Sequence, residues 1–315
     1  MKPRTVTVYA PASISNLGPG FDVLGIAIDR PGDYVTASRT KKEGVGFSLR
    51  TPREGIPGSA SRNVAAHVAS LLLDEVNPGF GVKLMLDKRM PLGSGLGSSA
   101  ASSAAAALAV NSLLDKPLAK RDLLRFVVEG ERMAAGSPHA DNAAPSLLGG
   151  AWLIRSYDPL DVIPIPFRNG IIWVVVHPHL VVHTRRARKV LPATVSLRTA
   201  VHQWGNVSGV TVGLISGDAA LLGKCTEDVI VEPVRSRLIP GFHEAKAAAL
   251  GAGAAGCSIS GSGPSAFAVT SSVASARRIA GAMAEAFLHA AEAKSESYIS
   301  RINPKGACVV RMKPR

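Results

Sequence analysis

Cysteine is scarce in this chain. Cys225, Cys257 and Cys308 form an odd, widely separated set with no Cys-x-x-Cys pair, which suits reduced thiols and excludes a disulfide framework or a cysteine-based zinc site. Long apolar runs are also missing: none reaches the length of a bilayer span. The first residues pass directly into a strand pattern without an apolar leader, so a cytoplasmic chain with no membrane partner is expected. Aromatic residues are few, with three Trp, four Tyr and eight Phe, and none interleaves with the basic clusters. Stacking platforms for single-stranded nucleic acid are therefore not evident. Acidic residues are in the minority, 23 against 36 Lys and Arg, for a formal charge of +13. That balance favours acidic partners, either nucleotides or nucleic acid, and does not choose between them. Much of it lies in Arg185, Arg186, Arg188 and Lys189 and in the stretch from Arg301 to Arg315, where a solvated basic face is the ordinary meaning.

What is present is a globular composition, 46% apolar with 31 Gly and 21 Pro over 315 residues, long enough for two domains. The organising stretch is Pro91-Leu-Gly-Ser-Gly-Leu-Gly-Ser-Ser-Ala-Ala-Ser102, which runs into a helix-forming segment over Ala100–Leu114. Gly93, Gly95 and Gly97 permit positive φ and close backbone approach, and the free N–H groups and dipole of the helix start favour an anion. No Lys follows the last Gly, as a Walker A loop requires, and Ser98 replaces the third Gly of a dinucleotide fingerprint. The serine pair after the last Gly is positioned to cap the helix and to offer hydroxyls to phosphate or magnesium. An ordinary capped helix after a turn is the alternative.

Along the chain, Val6–Tyr9 reads as a strand and Pro11–Asp22 as a tight loop displaying Asn16 and Asp22. Leu24–Ile28 and Tyr34–Ser38 read as a hairpin joined through residues 30–33. Ala60–Leu73 reads as a helix with Asn63 in its first turn, Val82–Asp87 as a strand, and Leu118–Ala135 as a helix stopped by Gly136-Ser-Pro138. The string Gly136-Ser-Pro-His-Ala-Asp-Asn142 brings an imidazole, a carboxylate and an amide together, as a catalytic loop or as plain turn formers. A Pro-rich connection over Pro159–Pro166 marks the division into 1–163 and 164–315. Beyond it, helices over Ser196–Ile215, Phe242–Leu250 and Ala274–Glu292 alternate with strands over Gly256–Ile259, Ser265–Val269 and Cys308–Met312. Ser260–Ser265 is either a plain glycine hairpin turn or a backbone wall facing a ligand.

These strings together resemble the GHMP small-molecule kinases. Pro91–Ser102 is similar to their phosphate loop. The Asn16-Leu-Gly-Pro-Gly-Phe-Asp22 and Gly136–Asn142 strings, Thr184 with Arg188 and Leu191-Pro192, and Glu232–Arg235 with Ile239-Pro-Gly241 resemble the homoserine kinase branch. The resemblance implies an α+β fold of two domains, an N-terminal ATP-binding domain of the ribosomal-protein-S5 domain 2 type and a ferredoxin-like C-terminal domain. It also implies transfer of the γ-phosphoryl of MgATP to the side-chain hydroxyl of L-homoserine, on the way to threonine. Ser99 and Glu131 fall on the magnesium positions, and Asn63, Pro91, Gly93, Ser94, Gly95, Leu96, Gly97, Ser98 and Ser99 on the nucleotide. Asn16, Asp22, His139, Thr184, Arg188, Arg235 and Gly261 fall on the amino-acid site. Glu131, Ser99, His139 and Asn142 are the catalytic set. A homodimer is expected by analogy.

The chemistry asks for the same residue types. A fork-shaped Arg recognises a carboxylate, an acid or amide oxygen an ammonium. Sugar and mevalonate relatives carry an Asp as base where Asn142 stands here, one residue past Asp141. An amide is no base, which leaves direct proton loss to the phosphate as one route and orientation of the hydroxyl by His139 as the alternative. Three competing readings are a related kinase acting on another small alcohol, a nucleic-acid-binding module suggested by the charge and the S5-like domain, and an inactive scaffold.

Overall fold

The computed structural model describes residues 3–51 and 55–314. The first sheet has the central order β11-β1-β2-β4-β3, built from β1 (Pro3–Ser15), β2 (Leu24–Thr40), β3 (Val45–Leu49), β4 (Gly81–Asp87) and, from the far end of the chain, β11 (Cys308–Pro314). The hairpin β5 (Ala151–Tyr157) and β6 (Leu160–Ile165) joins through β2. Apolar residues alternate along β1, and Val6, Val8, Ala10, Ala12 and Ile14 are all fully buried. Four helices accompany this sheet: α1 (Val64–Val76), α2 (Ser98–Asn111), α3 (Leu124–Ala135) and α4 (Ala140–Leu148). The alanine run of α2 has high helix propensity and no bulk, so α2 lies in the middle, packed on β1, β2 and the other three helices.

The second sheet, β10-β7-β9-β8, is antiparallel throughout. It comprises β7 (Ile172–Pro178), β8 (Gly256–Ile259), β9 (Ala266–Thr270) and β10 (Ser295–Ser300). The intervening helices are α5 (Thr184–Lys189), α6 (Leu197–Ser216), α7 (Ala219–Cys225), α8 (Glu232–Arg235), α9 (Phe242–Gly251) and α10 (Val273–Ala291). β7 is buried on both faces. Ile172, Val174 and Val176 meet Phe242, Met283 and Phe287 of α9 and α10. Trp173 and Val175 join a core shared with α6, α7 and the first sheet. No helix among the described residues is long and apolar enough to cross a membrane.

Several expectations are corrected. β1 continues through Pro11 to Ser15, so the loop is confined to residues 16–23, where Asn16, Leu17, Gly18 and Asp22 take positive φ. Residues 24–40 are one bent strand and not a hairpin. Where a turn was expected, the Tyr9 ring lies over Gly32, its hydroxyl donates to the Asp29 and Pro31 carbonyls, and the pairing with β1 shifts between Pro11 and Ser13. Asp33 is buried by side-chain and backbone donors described below, so it serves the interior and not a turn. The Pro-rich connection is the hairpin β5–β6. β6 is an edge strand, where a proline removes no hydrogen bond from the ladder. The later part of the basic stretch from Arg301, Cys308–Pro314, is strand β11 paired with β1 in the first sheet, although the division at 163 and 164 places it with the second half. Arg315 lies outside the described residues.

Candidate active site

β4 delivers the chain to the glycine loop, where Gly93, Gly95 and Gly97 take φ of 58°, 76° and 67°. The cap of α2 is Gly97, with no side chain bonding the first N–H groups, and Ser98 and Ser99 are the first helical residues and not the cap. The donors of the first turn stay available to an anion. Asn63 is itself the cap of α1, accepting from the Ala65 amide at 3.0 Å and donating to the Pro57 carbonyl at 3.1 Å.

The loop is clamped from both sides. The Ser260–Ser265 turn of the second sheet packs on it: Ser260 Oγ donates to the Gly95 carbonyl at 2.8 Å and the Ser265 amide to the Ser94 carbonyl at 3.2 Å. From the first sheet, Ser13 Oγ donates to Asn142 Oδ1 at 2.8 Å, and Asn142 Nδ2 donates to Ser15 Oγ at 3.1 Å. A Cβ on Gly97 would collide with Ser13 Oγ.

Between the two sheets lies a cleft of about 980 Å³. Every residue singled out from the sequence lines it except Leu96, whose side chain is in the core. Glu131, on α3, is buried and its carboxyl is pushed up to about 7 by that burial, with the Ser99 hydroxyl bond and the Lys88 charge opposing. Its Oε1 and the Ser98 hydroxyl are buried without partners. The Ser98 and Ser99 hydroxyls and the Glu131 carboxylate, beside a helix start suited to an anion, form an oxygen donor set of the kind a magnesium ion takes.

His139 Nδ1 stands 3.9 Å from Glu131 Oε2, and its Nε2 accepts from Arg188 Nη2 at 3.0 Å. The imidazole proton therefore sits on Nδ1. Burial pushes this imidazole down to about 4, Asp22 opposing and the charges of Arg188 and Arg235 adding. Arg188 also donates to both Asp22 oxygens at 3.0 Å. Asp22 in turn is set by its own amide, which donates to Asn16 Oδ1 at 3.2 Å. Asn16 Nδ2 and Arg235 Nη1 share the Gly261 carbonyl, at 3.0 and 2.9 Å. Arg235 Nε donates to the Ala187 carbonyl at 3.2 Å, and burial lowers this guanidinium to about 10. Thr184 Oγ1 lies 3.4 Å from Ser262 Oγ at the rim. Asp141 is buried, and its carboxyl is pushed up to about 8 by that burial, with Asp22 and Glu131 adding.

Four residues of weight were not singled out as site residues. The Lys88 side chain, 5% exposed, donates to the Ser98 carbonyl at 2.6 Å, to Ser102 Oγ at 2.8 Å and to Asp33. Asp33 also accepts from the amides of Arg89 and Met90 at 3.0 Å. This pair fastens the first turn of α2 from beneath. Phe21 carries both guanidiniums on its ring, Arg188 at 5.3 Å and Arg235 at 4.9 Å. Gln203 of α6 donates to the Pro19 carbonyl at 2.8 Å and holds the Asn16–Asp22 loop from behind. Their nearest hydrogen-bond partner in sequence is 10 residues away and others lie 184 residues off, with Arg235 over Phe21 farther still, and only the placement of Lys88 just before the glycine loop is a local signal.

Residues 63–150 match the family model described as GHMP kinases N terminal domain, and residues 211–289 that described as GHMP kinases C terminal. The chain is 46% identical to a homoserine kinase of Chlorobium phaeobacteroides, covering 98% of this chain and 100% of that one. It is 44% identical, with the same coverage, to a homoserine kinase of Chloroherpeton thalassium. The crystal structure of a homoserine kinase from Cytophaga hutchinsonii superposes with a TM-score of 0.93 at 46% identity, over 98% of both chains. Glycine loop, two-sheet cleft and full-length similarity agree, and the chain belongs to the homoserine kinase family of the GHMP kinases.

Proposed function

We propose that the chain transfers the γ-phosphoryl group of ATP to the side-chain hydroxyl of L-homoserine, yielding O-phospho-L-homoserine for threonine biosynthesis in the cytoplasm. The observation that carries this reading is the pairing, in one cleft, of an anion-binding helix start with a second site that holds two guanidiniums and a carboxylate. Homoserine offers that second site an ammonium, a carboxylate and a hydroxyl in one small molecule.

The roles follow from chemistry. The ATP phosphates lie on the Gly93–Ser98 backbone and the α2 start, with Asn63 at the nucleotide and Lys88 keeping the first turn rigid. Ser99 and Glu131 would hold Mg²⁺, which supplies charge neutralisation on the phosphates. Arg235, with N–H groups remaining beyond its two backbone bonds, takes the acceptor carboxylate, while Asp22 and Asn16 take the ammonium. Thr184, Arg188 and Gly261 close the acceptor site. His139, neutral and with its proton on Nδ1, orients groups and does not add charge.

Base catalysis is not required. Asn142 is an amide engaged with Ser13 and Ser15. Asp141, titrating near 8, is mostly protonated at neutral pH. A loose transition state needs little early deprotonation, so the hydroxyl proton leaves with the transferred phosphate. The partners are two small molecules and a second copy of the chain, with neither nucleic acid nor membrane involved. ADP release measured side by side with L-homoserine, L-serine, L-threonine and mevalonate tests the assignment. Homoserine should stimulate release far above the others, and equal stimulation by mevalonate would overturn it.

A further inference from the structure

On the side of α6 turned away from both cores, a line of side chains is uncovered. Leu197, Val201, Trp204, Ser208, Val212 and Ile215 succeed each other at helical spacings of three and four. The five apolar ones are 73, 56, 59, 52 and 45% exposed. Arg198 is the single Lys, Arg, Asp or Glu on this 20-residue helix, whereas a solvated helix face is normally charged. The opposite seam of Ala200, Gln203, Val210 and Leu214 is buried, so helix packing within the chain is already satisfied.

Gly205 is a second, independent sign. A mid-helix glycine costs about 1 kcal/mol relative to alanine and usually has a packing reason. Gly209 and Gly213 of the same helix have one, since a Cβ on either would press on Cys225 or Leu222. A Cβ on Gly205 would meet nothing within 4 Å, and the residue is exposed beside Trp204 and Ser208. Its smallness serves nothing in this chain.

We infer that α6 is the face through which two copies of the chain pair, antiparallel about a two-fold axis that crosses the exposed stripe between Trp204 and Ser208. The stripe is complementary to its own reverse. Turned end for end, it sets Leu197 against Ile215, Val201 against Val212, and the Trp204 indole over the small Ser208 and Gly205 of the other copy. That is the arrangement an isologous contact demands. Val195, 45% exposed, extends the patch beyond the helix start. With about half of each side chain covered, each copy contributes on the order of 400 Å² of apolar surface. With the flanking polar atoms of two copies, the contact approaches the roughly 1,200 Å² at which stable interfaces begin. The inference rests on the reading that the chain pairs with itself and is independent of the reaction assigned to the cleft.

The test is sedimentation velocity on the full chain, combined with tryptophan emission on dilution. Trp173 is fully buried and Trp152 nearly so, which makes Trp204 the reporter. A dimer at micromolar concentration is expected, with emission moving to the red as dilution separates the copies. Trp204→Glu and Val212→Glu should sediment as monomers that keep the far-ultraviolet dichroism and ATP turnover of the parent. Gly205→Leu should also be monomeric, with an unfolding midpoint at or above that of the parent, an outcome no role within one chain produces. A monomeric parent would overturn self-pairing altogether. A dimer that survives all three substitutions would overturn this face while leaving self-pairing intact.

Discussion

Gly95 of the glycine loop lies directly against Ser260 of the second sheet: the Ser260 hydroxyl donates to the Gly95 carbonyl at 2.8 Å, and a Cβ on Gly95 would collide with the Ser260 carbonyl oxygen. The glycine loop is thus a shared part of both halves of the molecule. Gly95→Ala must shift one half against the other and also hold φ of 76°, which alone costs about 1–2 kcal/mol for a residue with a Cβ. A thermal midpoint several degrees lower and a raised KM for ATP are expected. Unchanged values for both would show that the contact positions nothing.

Asp141 makes stability depend on pH in a definite direction. Burial raises its folded carboxyl to about 8, whereas the unfolded chain releases that proton near 4. The folded state therefore binds the proton more tightly. This contribution is complete below about pH 4 and is lost as pH rises through about 8. Asp141→Asn cannot titrate, so its stability should fall less between pH 4 and 8 and exceed that of the parent at pH 9 in urea unfolding. Parallel curves for the two proteins would contradict the assignment.

The same variant addresses catalysis. General-base help is typically worth about 10²–10⁴-fold, so Asp141→Asn should retain a readily measurable kcat without losing an acidic limb in its pH–rate profile. A fall of that size, with both substrate affinities intact, would make Asp141 the base.

Glu131→Gln removes the charge expected to hold Mg²⁺. Turnover should drop by orders of magnitude and recover in part as Mg²⁺ is raised. Normal turnover at low Mg²⁺ would remove Glu131 from the metal site.

Arg235→Ala should raise the KM for homoserine by roughly 10- to 100-fold, the equivalent of losing a charge-assisted bond worth about 1.5–3 kcal/mol. The KM for ATP should barely move. An effect confined to ATP would place the guanidinium on the nucleotide.

The legible parts of this site were those whose chemistry is local. The glycine loop announces an anion because three glycines and a helix start are adjacent in sequence, and a short string joins His139 to Asn142. What escaped was long-range. Lys88 and Asp33 are 55 residues apart, and Asp33 beside Pro31 and Gly32 has the composition of a turn while it lies inside a bent strand. Arg188 and Asp22 are 166 residues apart, and nothing local shows that they meet over Phe21. Pro159–Pro166 has the composition of a linker because proline rarely enters a sheet, but an edge strand does not need the missing N–H. The exposed stripe of α6 has ordinary helical periodicity, and only the packed fold reveals which side is left uncovered.

The central claim is that phosphate moves to the homoserine side chain, and the most direct measurement is the ³¹P spectrum of the product formed from ATP and L-homoserine. A phosphate monoester resonance coupled to methylene protons, growing in step with ADP, is the predicted result. ADP accompanied only by inorganic phosphate, or by an ester that forms equally with mevalonate and not with homoserine, would contradict it.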